Sequence, residues 1–229
     1  MNELADSSPD VSREKKQLEA MLYAIQCFPR INRTQLMKYI FFVDLFTYNK
    51  RGHPLLENQY RRLPNGPVPL FGFEKTALPD KKEFKENGEF TIYRMRDCSQ
   101  PNIYRYRFEI KPGRFAKMSV FQKGERDLLS LTLRSVMFRN TAYLCQFTHT
   151  YSLWKNHIDG DLIDLGEFKL GREEEDQLEL FLKAKVYLTP MRKGNLRFFS
   201  KRNEKPPLIE GFPEHLPIYF NEETGEIVE

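Results

Sequence analysis

The sequence has few cysteines and only short apolar runs, and these two features exclude several classes of protein. Its 229 residues include three cysteines, at positions 27, 98 and 145, and no two of them have the spacing of a metal clip or imply a disulfide scaffold. Apolar runs such as Tyr39–Val43 are far shorter than the about 20 residues of a membrane helix. The first twenty residues are polar and lack the apolar core of a signal peptide. We therefore expect a cytoplasmic protein with reduced thiols and no membrane partner.

The charge is nearly balanced over the whole chain but uneven along it. The 36 basic and 32 acidic side chains leave a net charge of +4, whereas residues 90–117 and 192–205 each carry a net +5 and are interleaved with aromatic residues. Proteins that bind single-stranded nucleic acid combine these features, but any alternating strand also exposes one charged face. Nucleic acid therefore remains an alternative partner that we do not favour, and an acidic protein surface suits the pattern equally well.

Apolar periodicity predicts a helical core. One helix begins near Ser12 and ends at Pro29, and the next is capped by Asn32 with Gln35 as its reciprocal residue. The segment Leu36–Phe46 is apolar nearly all round, which is typical of a helix at the centre of a core. A DNA-recognition helix needs polar and basic side chains instead, so this pattern argues against a helix-turn-helix reader.

The remaining segments predict an α+β fold, mainly helical, with an inserted β-hairpin and small C-terminal strands. Residues 50–70 are rich in proline and glycine and predict a loop, and residues 81–86 form a charged, solvated run. Alternation predicts a hairpin whose second strand exposes Arg105 and Arg107. The predicted helices and strands after residue 70 are a short helix at 71–77, strands 90–96 and 103–110, helices from Ser119 (with Gln122 as its reciprocal capping residue), after 139–140 and at 172–188, strands 186–191 and 196–199, and a last hairpin within 218–228.

Catalytic signatures are absent from the sequence. It contains no phosphate-binding loop, no Gly-x-Ser-x-Gly and no His-Glu-x-x-His. Cys145 and His149 lie four residues apart on a predicted helix, but two ligands hold a metal only when others arrive from elsewhere. We therefore expect no cofactor and no metal, and an enzyme is the least favoured class.

Five short segments occur in an order that resembles the Panacea domain, the SocA-like antitoxin family. They are Gln-Leu-Met-Lys-Tyr-Ile-Phe-Phe-Val-Asp at 35–44, Gly-His-Pro-Leu at 52–55, Asn-Gly-Pro-Val-Pro at 65–69, Phe-Thr-His at 147–149, and Trp154. The resemblance spans about residues 14–165. The sequence departs from the family at residues 62–65, Arg-Leu-Pro-Asn, where the family usually has an aromatic residue.

The resemblance implies a mostly helical, non-catalytic antitoxin that neutralises a protein toxin encoded nearby through direct contact, in toxin–antitoxin systems linked to phage defence. Some members act instead as adaptors that deliver a toxin to a protease, and a regulator that binds nucleic acid is a further alternative. The implied organisation is a loose N-terminus at 1–11, a Panacea-like domain at 12–165 with the hairpin insert at 90–111, and an extension at 166–229.

Two sets of residues are candidates for functional roles. The family motif residues are expected to build the fold and are Lys38, Asp44, Gly52, Gly66, Pro67, Val68, Thr148, His149 and Trp154. The basic and aromatic inserts are expected to contact the partner, through Tyr104, Arg105, Arg107, Arg197 and Phe199.

Overall fold

The computed structural model describes residues 12–79, 82–96, 104–183, 219–220 and 227–228. Within them the fold is α+β and mainly helical, as predicted. The helices are α1 Arg13–Cys27, α2 Arg33–Arg51, α3 Leu70–Lys75, α4 Lys123–Met137, α5 Thr141–Thr148, α6 Ser152–Lys155 and α7 Arg172–Lys183. The strands are β1 Tyr60–Leu63, β2 Gly66–Pro69, β3 Phe84–Glu86, β4 Phe90–Arg96, β5 Tyr104–Ile110, β6 Leu162–Ile163, β7 Tyr219–Phe220 and β8 Ile227–Val228.

Helix α2 lies at the centre of the core, which confirms the interpretation of its apolar sequence. Asn32 and Gln35 form the predicted capping box, in which the Gln35 backbone N–H donates to Asn32 Oδ1 at 2.8 Å. Every residue from Leu36 to Leu45 is at most 3% exposed. Burying an aliphatic or aromatic side chain of this size contributes about 1.5–3 kcal/mol, so this helix supplies much of the hydrophobic stabilisation. None of the helices in the described segments combines the length and hydropathy needed to cross a bilayer.

The prediction of a loop over residues 50–70 is wrong for its second half. Strands β1 and β2 form a hairpin in which Tyr60 faces Pro69 and Leu63 faces Gly66, and β6 pairs with the other side of β1. Proline, which cannot donate to a ladder, is tolerated here because β2 is an edge strand of the β2-β1-β6 sheet. The hairpin therefore forms despite the two prolines within β2.

The inserted hairpin is confirmed, and it belongs to a second sheet in the order β3-β4-β5. Phe90, Ile92 and Phe108 lie on its inner face and are at most 2% exposed, whereas Arg105 and Arg107 on the outer face are exposed. The charged run at residues 81–86 contains β3, which the sequence did not predict because three residues are too few for a periodicity to show.

Two predicted helix boundaries need correction. Helix α4 is capped by Gln122 with Glu125 as its partner, and a 3-10 turn at 118–120 occupies the predicted start at Ser119. The helix predicted after residue 140 divides into α5 and α6, and the Glu174 carboxylate accepts the backbone N–H of Ser152 at the start of the second helix.

Of the predictions for the C-terminal region, the start of helix α7 and the last hairpin can be compared with the structure. Helix α7 begins at the predicted residue, Arg172, and is described as far as Lys183. The strands predicted at 186–191 and 196–199 lie outside the described residues. The last hairpin is confirmed by the antiparallel pairing of β7 with β8, in which Tyr219 faces Val228.

Candidate functional site

Most of the family motif residues lie where α2 packs against the β1–β2 hairpin and helix α5, and we call this region the motif junction; Gly52 lies apart from it, exposed at the end of α2. Lys38 of α2 is 1% exposed, and its Nζ donates to Thr148 Oγ1 of α5 at 3.0 Å. The Thr148 hydroxyl in turn donates to the backbone carbonyl of Cys145 at 2.9 Å. Burial away from water disfavours the charged amine and lowers the pKa of Lys38 to about 7.

Gly66 begins β2 directly above this amine. Its φ is +102°, in the region that favours glycine, and a Cβ built on it lies 2.2 Å from Lys38 Nζ and 2.4 Å from Thr148 Oγ1. No side chain fits at that distance without displacing its neighbours. Pro67 and Val68 follow within the buried strand, so the Gly-Pro-Val motif brings the hairpin backbone into contact with the buried amine.

Asp44, one and a half turns further along α2, fixes the segment that leads into β1. Its carboxylate is fully buried and accepts hydrogen bonds from the Leu56 backbone N–H at 2.6 Å, from both nitrogens of Asn58, and from the Tyr60 hydroxyl at 2.7 Å. Burial raises the pKa of Asp44 to about 6, although these donors oppose the shift. Gly52, with φ +77°, ends α2 and allows the chain to turn back towards this carboxylate.

His149 and Trp154 attach the hairpin to α5 and α6. The two rings stack with centroids 3.8 Å apart, and the Arg62 guanidinium of β1 lies 4.1 Å from the Trp154 ring. Trp154 Nε1 donates to the Leu63 carbonyl at 3.2 Å, which ties α6 to the end of β1. Partial burial and the nearby charges of Lys38 and Arg62 lower the pKa of His149.

Lys38 and Asp44, six residues apart on α2, therefore have separate partners. The motif junction shows what each motif residue contacts, and its residues are largely buried. The suggested metal pair gains no support, because the described residues contain no group of three histidine, cysteine or acidic side chains that could hold an ion. Burial also raises the pKa of the Cys145 thiol, so this cysteine is neutral at physiological pH.

Two of the predicted partner contacts, Arg105 and Arg107, have a different environment, on the face of the second sheet that points to solvent. Arg107 lies opposite Tyr93 and Arg105 lies opposite Met95 in the pairing of β5 with β4. Phe84 of β3 stands opposite Tyr93 from the other side, with ring centroids 6.5 Å apart. We call these five residues the outer sheet face. Tyr104 is in β5, where its backbone faces Arg96, whereas Arg197 and Phe199 lie outside the described residues.

The apolar part of the outer sheet face is a feature that the sequence interpretation missed. Phe84 is 57% exposed and Met95 is 44% exposed, although both are large apolar side chains. With Glu83, Arg94 and Glu109 they line a shallow depression of about 410 Å³. The sequence alone did not reveal this apolar patch, because Phe84 is brought next to Tyr93 by the pairing of β3 with β4.

The fold and the motif junction define a mainly helical α+β domain in which two β-hairpins pack on a buried central helix. The family model described as "Antitoxin SocA-like, Panacea domain" matches residues 36–155, which is more than half of the chain. The protein therefore belongs to the SocA-like, Panacea-domain antitoxin family. The match is narrower than the predicted span of about 14–165 and leaves α1 and α7 outside it. No curated protein and no solved structure matches the chain.

Proposed function

We propose that this protein is a cytoplasmic antitoxin that neutralises a cognate protein toxin by direct binding, without catalysis. The family match over residues 36–155 is the observation that carries this proposal. The match includes the whole motif junction and the whole outer sheet face, so the motif residues and the candidate contact surface both lie within the antitoxin-like domain.

The outer sheet face is the surface that we assign to the toxin. It combines exposed apolar side chains, Phe84 and Met95, with a charged border that includes Arg105 and Arg107. Interfaces typically have an apolar centre and a polar rim, and arginine and aromatic residues are enriched among the residues that dominate binding. The toxin surface that fits this face has an apolar centre and carboxylates positioned to meet the two arginines.

The motif junction has the opposite character, which supports a role in building the fold. Lys38, Asp44 and Thr148 are each at most 1% exposed and are engaged in hydrogen bonds within the chain. A rigid partner cannot reach these side chains without opening the domain. We infer that the family motif shapes the domain and that contacts with a particular toxin come from the insert.

The test of this surface is a pair of charge reversals, Arg105→Glu with Arg107→Glu, in a protein whose urea unfolding midpoint is unchanged. Binding to the toxin encoded by the adjacent reading frame is measured by calorimetry. Losing two rim contacts and adding two repulsive charges is expected to weaken binding by about 10- to 100-fold. The matched control reverses two exposed lysines outside the sheet, Lys155→Glu with Lys169→Glu, and should leave the affinity within about threefold. Equal affinity for the two double variants would remove the outer sheet face from the interface.

The mode of neutralisation that we propose is masking of the toxin in a stable complex. Pulse-chase labelling of the toxin separates masking from delivery to a protease. Under masking, the toxin has the same half-life or a longer one when the antitoxin is co-expressed. A toxin half-life that shortens when the antitoxin is present, and recovers when cellular proteases are inactivated, would assign the adaptor mechanism instead.

A further inference from the structure

The β1–β2 hairpin closes over a lysine amine that has no negative partner. Thr148 Oγ1 is the one hydrogen-bond acceptor that the described residues offer to Lys38 Nζ, whereas a protonated amine carries three N–H donors. Within those residues, Cys145 is the group whose charge would stabilise the protonated amine, and burial keeps that thiol neutral. A protonated Lys38 would therefore be a buried and unpaired charge, which is among the costliest states in a protein interior.

The other titratable groups near Lys38 add to the cost of charge at this position. His149, directly after α5, and Arg62 of β1 form one electrostatic cluster with it, and both carry positive charge when protonated. Asp44 lies on the same helix, but its carboxylate is directed at the donors of residues 56–60. The Asp159 carboxylate pairs with Arg62 and compensates that guanidinium, so among the described residues it is Lys38 itself that has no carboxylate partner.

The strand that covers Lys38 is buried, but it is held in its sheet along one edge only. Strand β2 pairs with β1 alone, so one of its edges has no ladder. The turn before it, at Pro64 and Asn65, is exposed. Gly66 approaches the amine more closely than any side chain allows, so displacing this turn admits water to Lys38.

We propose that Lys38 is a pH-sensitive latch, which keeps the β1–β2 hairpin closed while the amine is neutral and promotes local opening of the hairpin when the amine is protonated. The inference is independent of the proposed toxin contact, because it concerns the motif junction and not the outer sheet face. It assigns a regulatory role to a lysine whose burial otherwise costs stability.

The size of the effect follows from proton linkage. The pKa of Lys38 is about 7 in the closed state, and in an opened hairpin it returns to the ordinary value of 10.5. The opened state then binds the proton more tightly, so acid favours opening. Between pH 8 and pH 6 the opening equilibrium constant should increase about tenfold.

Amide hydrogen exchange measured by NMR tests the proposal directly. The opening constant at the Gly66 and Val68 amides is measured at pH 6 and pH 8, after correction for the intrinsic exchange rate at each pH. We expect a rise of about tenfold at pH 6 in the wild type and no change in Lys38→Met. The matched control Lys50→Met, on the exposed end of the same helix, should behave as the wild type. A pH-independent opening constant in the wild type would overturn the proposal.

Two further measurements keep the test decisive. Amides of α4, such as Leu133, report global unfolding, and an equal rise there would contradict local opening. A His149→Gln variant that abolishes the pH dependence would assign the titration to histidine and overturn the latch.

If Lys38→Met does not fold, nitrogen-15 titration of the lysine Nζ resonances of the wild type replaces it. One resonance should then titrate near pH 7, and titration of every lysine above pH 9 would refute the mechanism.

Discussion

Replacing Gly66 with alanine is the sharpest test of the motif junction, because the structure specifies what the added methyl group meets. The Cβ of Gly66→Ala lies 2.2 Å from Lys38 Nζ and 2.4 Å from Thr148 Oγ1, and both atoms are buried. A second glycine, Gly160, has nearly the same backbone angle, φ +99° against +102°, but a Cβ there has nothing within 4 Å. The pair of variants therefore separates backbone strain from steric overlap.

The expected losses follow from these two environments. A non-glycine residue at such a φ costs about 1–2 kcal/mol, and this is the whole cost expected for Gly160→Ala. Gly66→Ala adds about 1–3 kcal/mol of overpacking and about 1 kcal/mol for the disrupted hydrogen bond between Lys38 and Thr148. We therefore expect a loss of about 3–6 kcal/mol for Gly66→Ala.

The assay is equilibrium urea unfolding of the wild type and both variants, monitored by circular dichroism at the same pH. The free energy of unfolding of Gly66→Ala should be lower than that of Gly160→Ala by about 2–4 kcal/mol. Equal losses would mean that the hairpin does not rest on the buried amine, and the description of the motif junction would be wrong.

Three other predictions concern stability and binding. Asp44→Asn leaves at least one buried donor unpaired and should lower the free energy of unfolding by about 2–4 kcal/mol, whereas Tyr60→Phe should lower it by about 1 kcal/mol. Similar losses for the two variants in urea unfolding would contradict the hydrogen-bond network around the Asp44 carboxylate. The pKa of Lys38 in the folded state lies below its ordinary value, so the free energy of unfolding of the wild type should rise with pH between about 7 and 10.5. Urea denaturation of Lys38→Met at several pH values in this range should show no such rise. Phe84→Ser should change stability by less than about 0.5 kcal/mol yet weaken toxin binding at least about tenfold. The control Ile158→Ser, at a side chain 74% exposed against 57% for Phe84, should leave binding unchanged, and comparable losses of affinity would count against the outer sheet face.

Sequence reasoning succeeded where one local signal determined the structure. The capping box of Asn32 and Gln35 and the apolar sequence that follows sufficed to place α2 in the core. The alternation of arginine with aromatic residues placed β5 and its exposed side correctly. These features depend on neighbouring residues alone, so the periodicity of one element reveals them.

It failed where structure depends on contacts between distant segments. The β1–β2 hairpin was predicted as a loop, because prolines mark turns in sequence, whereas an edge strand tolerates them. The start of α6 is capped by Glu174, which lies 22 residues further along the chain. No local pattern contains that information.

The candidate site shows the same limit. Lys38 and Asp44 lie six residues apart on one helix, a spacing that places them on different sides of it, and a buried charged group needs a partner. Their partners, Thr148 and Tyr60, arrive from other elements at separations of 110 and 16 residues. The family resemblance pointed to most of these motif positions, but the contacts among them became visible in the structure alone.

Direct binding that abolishes toxicity is the central claim, and growth rescue tests it most directly. The protein encoded by the adjacent reading frame is expressed from an inducible promoter, alone and together with this chain, and colony formation is counted. We predict that the neighbour alone prevents growth and that co-expression restores it, with both proteins recovered in one complex. A neighbour that is harmless alone, or toxicity that this chain does not relieve, would contradict the account.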